Sequence, residues 1–383
     1  MTDGKKKFIT SIIIIIISIL FIYIGHSICP YEKSGSDKLD LSKAKVTKIL
    51  DVKESLYDLG SPVTKKEITF NAKITSGEHK GEIVSITEVI DGMILPKPRE
   101  VKKGDHILIS HYDQSDIGGT NRWEYICHNR ATIILILVIG FFALILLIGK
   151  RKGISTLISL IITMAVVFWV FIPSILFGKN IYISTIIISI FIILMSIILL
   201  NGINKKSMCA ILGNLGGLAI SGILALVMNK ILAVTGMVNE NYTFLSFLDN
   251  GVSIDLKAVV WSGVVIGSLG AVMDVAMSIA SSMNELSETM HEKSYRKMVK
   301  SGMNIGRDAI GTMTNTLILA YVGSSLATIL LLVSYNKNLI YLLNMEMITV
   351  EILQAIVGSI GILFAVPATV LLSAKIFNKK EEN

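Results

Sequence analysis

Apolar residues in this chain come in long unbroken runs, each close to the roughly 20 residues that cross a bilayer at about 1.5 Å per residue. Eight runs can be read, at approximately 8–28, 131–149, 154–173, 181–200, 208–229, 258–280, 308–334 and 351–374. Between the first two the pattern changes. KVTKIL, ITFNAKI, GEIVSITEVI and HILIS are short β-prone runs, separated by turn signals at Ser76-Gly77, Asp91-Gly92, Lys103-Gly104-Asp105 and Gly118-Gly119. The pattern predicts an α-helical polytopic membrane protein of about eight transmembrane helices, with one small β-barrel-like domain of OB or SH3-like kind. The expected layout is an anchor at 1–29, a β-rich domain at 30–128 and a seven-helix domain at 129–383 containing a loop at 281–307.

Charge then orients the spans. The net charge of +7 is not a nucleic-acid footprint, because residues 29–130 hold 16 Lys+Arg against 16 Asp+Glu. The excess lies in short loops. With the N-terminus inside, the inner segments carry 16 basic residues, among them Lys5-Lys6-Lys7, Lys150-Arg151-Lys152 and Lys205-Lys206, and the short outer loops carry 4. That bias puts both termini in the cytoplasm and residues 30–128 outside. The first run reads as an uncleaved anchor. Its core is long for a signal peptide, no A-x-A site follows, and His26 and Ile28 spoil HSIC as a lipobox.

Polar residues inside the spans carry the candidate chemistry. Asp274 sits within AVVWSGVVIGSLGAVMDVAMSIA, and an intramembrane carboxylate costs several kcal/mol unless a partner or water meets it. Gly263, Gly267 and Gly270 lead into Asp274, Ser278 and Glu285 along one helical flank. The next span opens on Arg307 and Asp308 and continues through Gly311, Thr312, Asn315, Thr316 and Gly323. The fifth span repeats small residues every four positions, Gly213, Gly217, Ser221 and Ala225, with Asn214 beside them, the spacing that lets helices approach closely in lipid. These stripes are expected to pack spans five, six and seven against one another. Arg307 is expected to pair with Asp274, Glu285 or Asp308. Between the two polar spans, Tyr295, Met298 and Val299 alternate with Lys293, Arg296, Lys297 and Lys300, which suits a short amphipathic helix on the anionic inner leaflet. Residues 241–256 suit an interfacial segment.

Other sites are poorly supported. Cys29, Cys127 and Cys209 show no CxxC or Cys/His spacing, so unpaired thiols are expected and no structural zinc. Asp105 with His106 and His111 offers a metal reading, but surface histidines are the plainer one, and neither metal nor cofactor is called for. No Walker A, HExxH or GxSxG sequence occurs. Asp274 and Asp308 supply the two carboxylates of an intramembrane aspartyl protease, but the GxGD pattern is absent, so an enzyme is the weakest reading.

The stretch SIDLKAVVWSGVVIGSLGAVMDVAMSIASSMNEL, followed by SGMNIGRDAIGTMTNTLILAYVGSSL, resembles the signature of the YibE/F-like family of bacterial multi-pass membrane proteins over residues 253–326. The match carries the signature positions Asp274, Ser278, Glu285, Gly302, Arg307, Asp308, Gly311, Thr312, Asn315 and Thr316. The resemblance implies a bacterial plasma-membrane protein and a second, related membrane protein or another copy as partner, and it leaves the activity open. Lipid is the one other partner expected, and no nucleic acid. The leading functional expectation is a permease or transporter subunit of unknown substrate, with its polar site around Asp274. The alternative is an envelope scaffold or assembly factor acting through its outer domain.

Overall fold

The computed structural model describes residues 3–29, 40–56, 64–91, 99–112, 122–248, 252–290, 294–335 and 338–378. The expected turns at Gly92 and Gly118-Gly119, and Lys293, Lys337, Lys379 and Lys380, lie outside them. The described residues form two compact units, one within Lys33–Leu144 and one within Met1–Glu32 and Ile145–Asn383.

The first unit is a curled antiparallel sheet of β1 (Asp40–Leu56), β2 (Thr64–Ile74), β3 (Ile83–Asp91), β4 (His106–Tyr112) and β5 (Arg122–His128), in the order β3-β2-β1-β4-β5. β1 is long because it serves two neighbours. Its start pairs with β4, nearly its whole length pairs with β2, and irregularities at Val46/Lys48 and Ile49/Asp51 bend it between them. Alternate residues of β2, Ile68, Phe70, Ala72 and Ile74, are all buried, the period-two signature of a strand with one face on a core. Val46, Ile86, Ile107 and Ile109 fill the same core.

Glu88 is the exception on β3. It is only 5% exposed, and its Oε2 accepts a hydrogen bond from the Val101 amide at 3.0 Å. Burial pushes its carboxyl above the ordinary range, and the Val101 N–H opposes that only in part. A carboxyl raised in the folded state contributes stability below its unfolded pKa and loses it as pH rises through the folded value. Glu88→Gln keeps the acceptor for Val101 and removes the charge. It is expected to raise the melting temperature of this unit at pH 7, and the gain should vanish near about pH 4. Thermal scans read by proteolysis within the unit would show this; an equal or lower melting temperature at pH 7 would contradict it.

The helices are α1 (Asp3–Ile28), α2 (Ala131–Lys150), α3 (Lys152–Leu176), α4 (Ile181–Asn201), α5 (Lys205–Ile231), α6 (Glu240–Ser246), α7 (Leu256–Thr289), α8 (Tyr295–Ser324), α9 (Leu326–Tyr335), α10 (Leu339–Asn344) and α11 (Glu346–Asn378). Among the described residues seven helices are long and apolar enough to cross a membrane; α8 and α9, bent by 62° at Ser325, pass the same test only as a pair, the geometry of a broken span or a re-entrant loop. The chain leaves the helical path between α2 and α3 at Lys150, with φ 48° and ψ −127°. Gly153 follows where any Cβ would meet the Ile145 carbonyl.

α5, α7 and α11 pack together, with α4 on α5 and α7 and with α8 on α11 and α7. The α5 stripe packs on α7, as the sequence suggested, and also on α11, which the sequence did not suggest. A Cβ on Gly217 would lie 2.8 Å from both Ala365 Cβ and the Gly361 carbonyl, and 2.9 Å from Val272 of α7. One on Gly213 would strike Thr369, and one on Gly361 would strike Ser221. α11 carries its own small residues at Gly358, Gly361 and Ala365, and two small stripes fit each other best. Trp261 of α7 locks onto α5, its Nε1 donating to the Gly222 carbonyl at 2.8 Å.

The stretch 281–307, expected as a loop, is mostly helix, since α7 runs to Thr289 and α8 begins at Tyr295. Its polar residues mark an exposed side of continuing helices. Met283, Ser287 and Met298 keep the buried period, and Met298 enters the helical core, so its segment is part of α8 and not a separate surface helix. In the expected interfacial segment, α6 leaves Phe244 69% exposed and Phe247, just beyond it, 76% exposed. Cys29, Cys127 and Cys209 are free thiols.

Candidate functional site

α7 has two unlike faces. Val265, Val272, Val275, Ile279 and Met283 are buried in the helical core. The flank carrying Gly263, Gly267, Gly270, Asp274, Ser278 and Glu285 is exposed. Residues three and four apart share one side of a helix, so this flank is a continuous strip. Asp274 lies near the middle of the 34-residue helix.

α8 is built the same way. Met298, Gly302 and Gly306 are buried. A Cβ on Gly302 would lie 2.5 Å from Met283 and 2.9 Å from Val370, and one on Gly306 would strike Val366, so these glycines bring α8 against α7 and α11. Its other side presents Arg307, Asp308, Gly311, Thr312, Asn315 and Thr316, all exposed. Two of the hydroxyls serve themselves. Thr312 Oγ1 donates to the Ala309 carbonyl at 3.1 Å, and Thr316 Oγ1 to the Thr312 carbonyl at 2.9 Å.

Among the described residues nothing makes a hydrogen bond or ion pair with the Asp274 carboxylate. The expected pairing of Arg307 with a carboxylate is not formed. Among the described residues its guanidinium donates to Asn304 Oδ1 alone, at 3.3 Å. Three glycines on these flanks, Gly270, Gly311 and Gly323, have open space where a Cβ would stand. The α5 glycines are consumed by packing within the chain and these are not.

Contacts fix the relative level of the two helices. Gly267 stands against the Tyr321 hydroxyl and Ile279 against Gly306, so α7 and α8 run antiparallel and Asp274 lies level with residues 311–314. Thr314 is in that window, and its Oγ1 is buried with no hydrogen-bond partner. Thr314 therefore borders the Asp274 level, and Tyr321 stands about two turns away beside Gly267; neither was singled out from the sequence. A threonine or tyrosine in an apolar run carries no charge signal, and only the helix register shows where it points. In the core, Asn214 is fully buried with both amide atoms unpartnered, at about 1–3 kcal/mol for each unmet group.

Magnitudes decide what this face can be. An aspartate or arginine at a helix centre in lipid costs about 2.5–3.5 kcal/mol even on the mildest scale. A surface holding a carboxylate, a guanidinium and an amide is thus unsuited to lipid, unlike Ile183 and Ile223, which are 58% and 62% exposed on other helices.

Fold and composition define a polytopic α-helical membrane protein with an added β unit. The family model described as YibE/F-like protein matches residues 137–379, and the chain belongs to that family. The match takes in α3 to α11 and so includes both polar flanks. Comparison with curated proteins and with solved structures gives no match.

Proposed function

We propose that the chain is a permease or transporter subunit whose polar α7–α8 face forms one wall of a pathway through the bacterial plasma membrane. A second membrane chain, another copy or a related protein, completes that wall. The observation that carries this reading is the exposed, unpartnered Asp274 midway along α7, flanked by glycines with open space beside them. An ionisable group at membrane depth is functional by default. Open glycines let another helix come close without displacing the polar groups.

In this reading both termini and the α7–α8 turn are cytoplasmic and the β unit is outside, as the distribution of Lys and Arg favours. Ser278, Glu285, Arg307 and Asp308 continue the polar lining toward the inner face, Thr312, Asn315 and Thr316 line it at and just outside the level of Asp274, and Asp274 binds the proton or cation. Strand order β3-β2-β1-β4-β5, with a bent β1 shared by both halves, supports an OB-type barrel acting as a stabilising or interaction module.

The test is cation and proton flux into proteoliposomes loaded with a pH-sensitive dye, with the chain purified from its own membrane together with whatever co-purifies. Wild type should carry a flux that Asp274→Asn lacks. Equal flux in both, or none in either while cells still need the chain, would favour the scaffold reading.

A further inference from the structure

The β unit brings together two histidines that the sequence keeps apart. His79 lies in the β2–β3 connection and His111 near the end of β4, and their ring centroids are 5.3 Å apart. The pair considered from the sequence, His106 and His111, pairs with Lys45 and Asp40 at opposite ends of one register. At about 3.3 Å per residue those two stand about 16 Å apart and cannot share an ion. The turn that brings His79 across is held in place. Thr75 N donates to the Lys43 carbonyl at 2.7 Å, and Lys43 N donates to Ser76 Oγ at 2.7 Å.

We infer that His79 and His111 form a binding site for a divalent first-row transition ion, with Cu(II) preferred over Zn(II). Two imidazoles bound at about 2.0–2.1 Å to one ion hold their ring centroids about 4.5 Å apart at the right angle of a tetragonal copper and about 5 Å apart at a tetrahedral angle, and the 5.3 Å found here lies just beyond that range, within a small ring rotation of it. A second feature is independent of that distance. Glu82 Oε1 lies 3.2 Å from His79 Nδ1, so the carboxylate accepts a hydrogen bond from Nδ1–H and leaves Nε2 as the free ligand. This is the carboxylate–histidine–metal arrangement that fixes the tautomer and strengthens the ligand. Among the described residues no third His, Cys, Asp or Glu completes a ligand set, and water would take the remaining positions. Such an open site exchanges its ion, and two nitrogens with water favour Cu(II) in the general order of affinities. Hard ions such as Mg(II) and Ca(II) find no oxygen cage.

Trp123 supplies the reporter. It is the cross-strand partner of His111, its ring is 4.7 Å from that imidazole and 5.4 Å from His79. The experiment uses the full-length chain in detergent, dialysed against copper or zinc chloride, with metal content and tryptophan fluorescence read together. One copper per chain should bind and quench part of the emission, and acidification should release it, since imidazole ligates only as the free base. His79→Ala with His111→Ala should remove the ion. Glu82→Gln should weaken it by about 10- to 100-fold. Trp123→Phe should keep the ion and lose the quench. If the double variant does not fold, His79→Asn, in a connection outside the strands, asks the same question. No copper bound at 100 times the protein concentration, or copper bound equally by the histidine variants, would overturn the site.

Discussion

Asp274→Asn is expected to abolish activity while leaving the chain in the membrane at its normal level. The amide keeps the shape and most of the hydrogen bonding of the carboxylate and loses its charge. Because no described residue is paired with Asp274, the substitution strands no partner inside the chain. Buried ion pairs behave otherwise, since removing one member leaves an uncompensated charge at about 3–5 kcal/mol. Complementation read beside a membrane-abundance blot separates the outcomes. Activity should fall at least about tenfold, equivalent to about 1.4 kcal/mol, at unchanged abundance. Full activity would remove the charge-based mechanism, and loss of the protein itself would make Asp274 a structural residue.

The second large effect is a contrast between two glycines. Gly217→Leu should destroy the helical core, because even a methyl there would meet the Gly361 carbonyl and Ala365 at 2.8 Å. Backbone cannot move aside as a flexible side chain can, so the cost should reach or exceed the about 3 kcal/mol upper end for ordinary overpacking. Gly270→Leu should leave the single chain folded, since nothing lies within 4 Å of a Cβ there. It should instead block whatever approaches the polar face. Gly217→Leu is thus expected to lose protein, and Gly270→Leu to lose activity and the co-purifying chain at normal abundance. Similar loss of protein in both would mean that Gly270 is packed within the chain.

Much of this architecture is legible in the residues. The apolar runs give the spans, because hydrocarbon thickness sets a length that few other constraints impose. Alternation in ITFNAKI gives β2, and the three- and four-residue spacing from Gly263 to Glu285 gives the α7 strip. What the sequence does not say is which neighbour meets which face. α7 has apolar β-branched residues on one side and small and polar residues on the other, and both are chemically able to pack. The pairing was settled by α11, whose Gly358, Gly361 and Ala365 sit inside an ordinary-looking apolar run. The polar residues of 281–307 read as loop because charge hides a helical period when one side is wet. The 62° break at Ser325 has no proline to announce it. His79 and His111 meet because the β2–β3 turn is held against Lys43 of β1, whose other neighbour is β4, and no local spacing encodes that.

The most direct test of the central claim is the environment of the α7–α8 face in a membrane. Nitroxide labels at Gly270 and Asn315 can be compared with one at Ile223, a residue 62% exposed on the apolar side of α5. Ile223 should show the high oxygen and low water-soluble-nickel accessibility of a lipid-facing site. Gly270 and Asn315 should show low oxygen accessibility, with nickel access where the pathway is wet. Oxygen accessibility at Gly270 and Asn315 as high as at Ile223 would place the polar face against lipid and contradict the account.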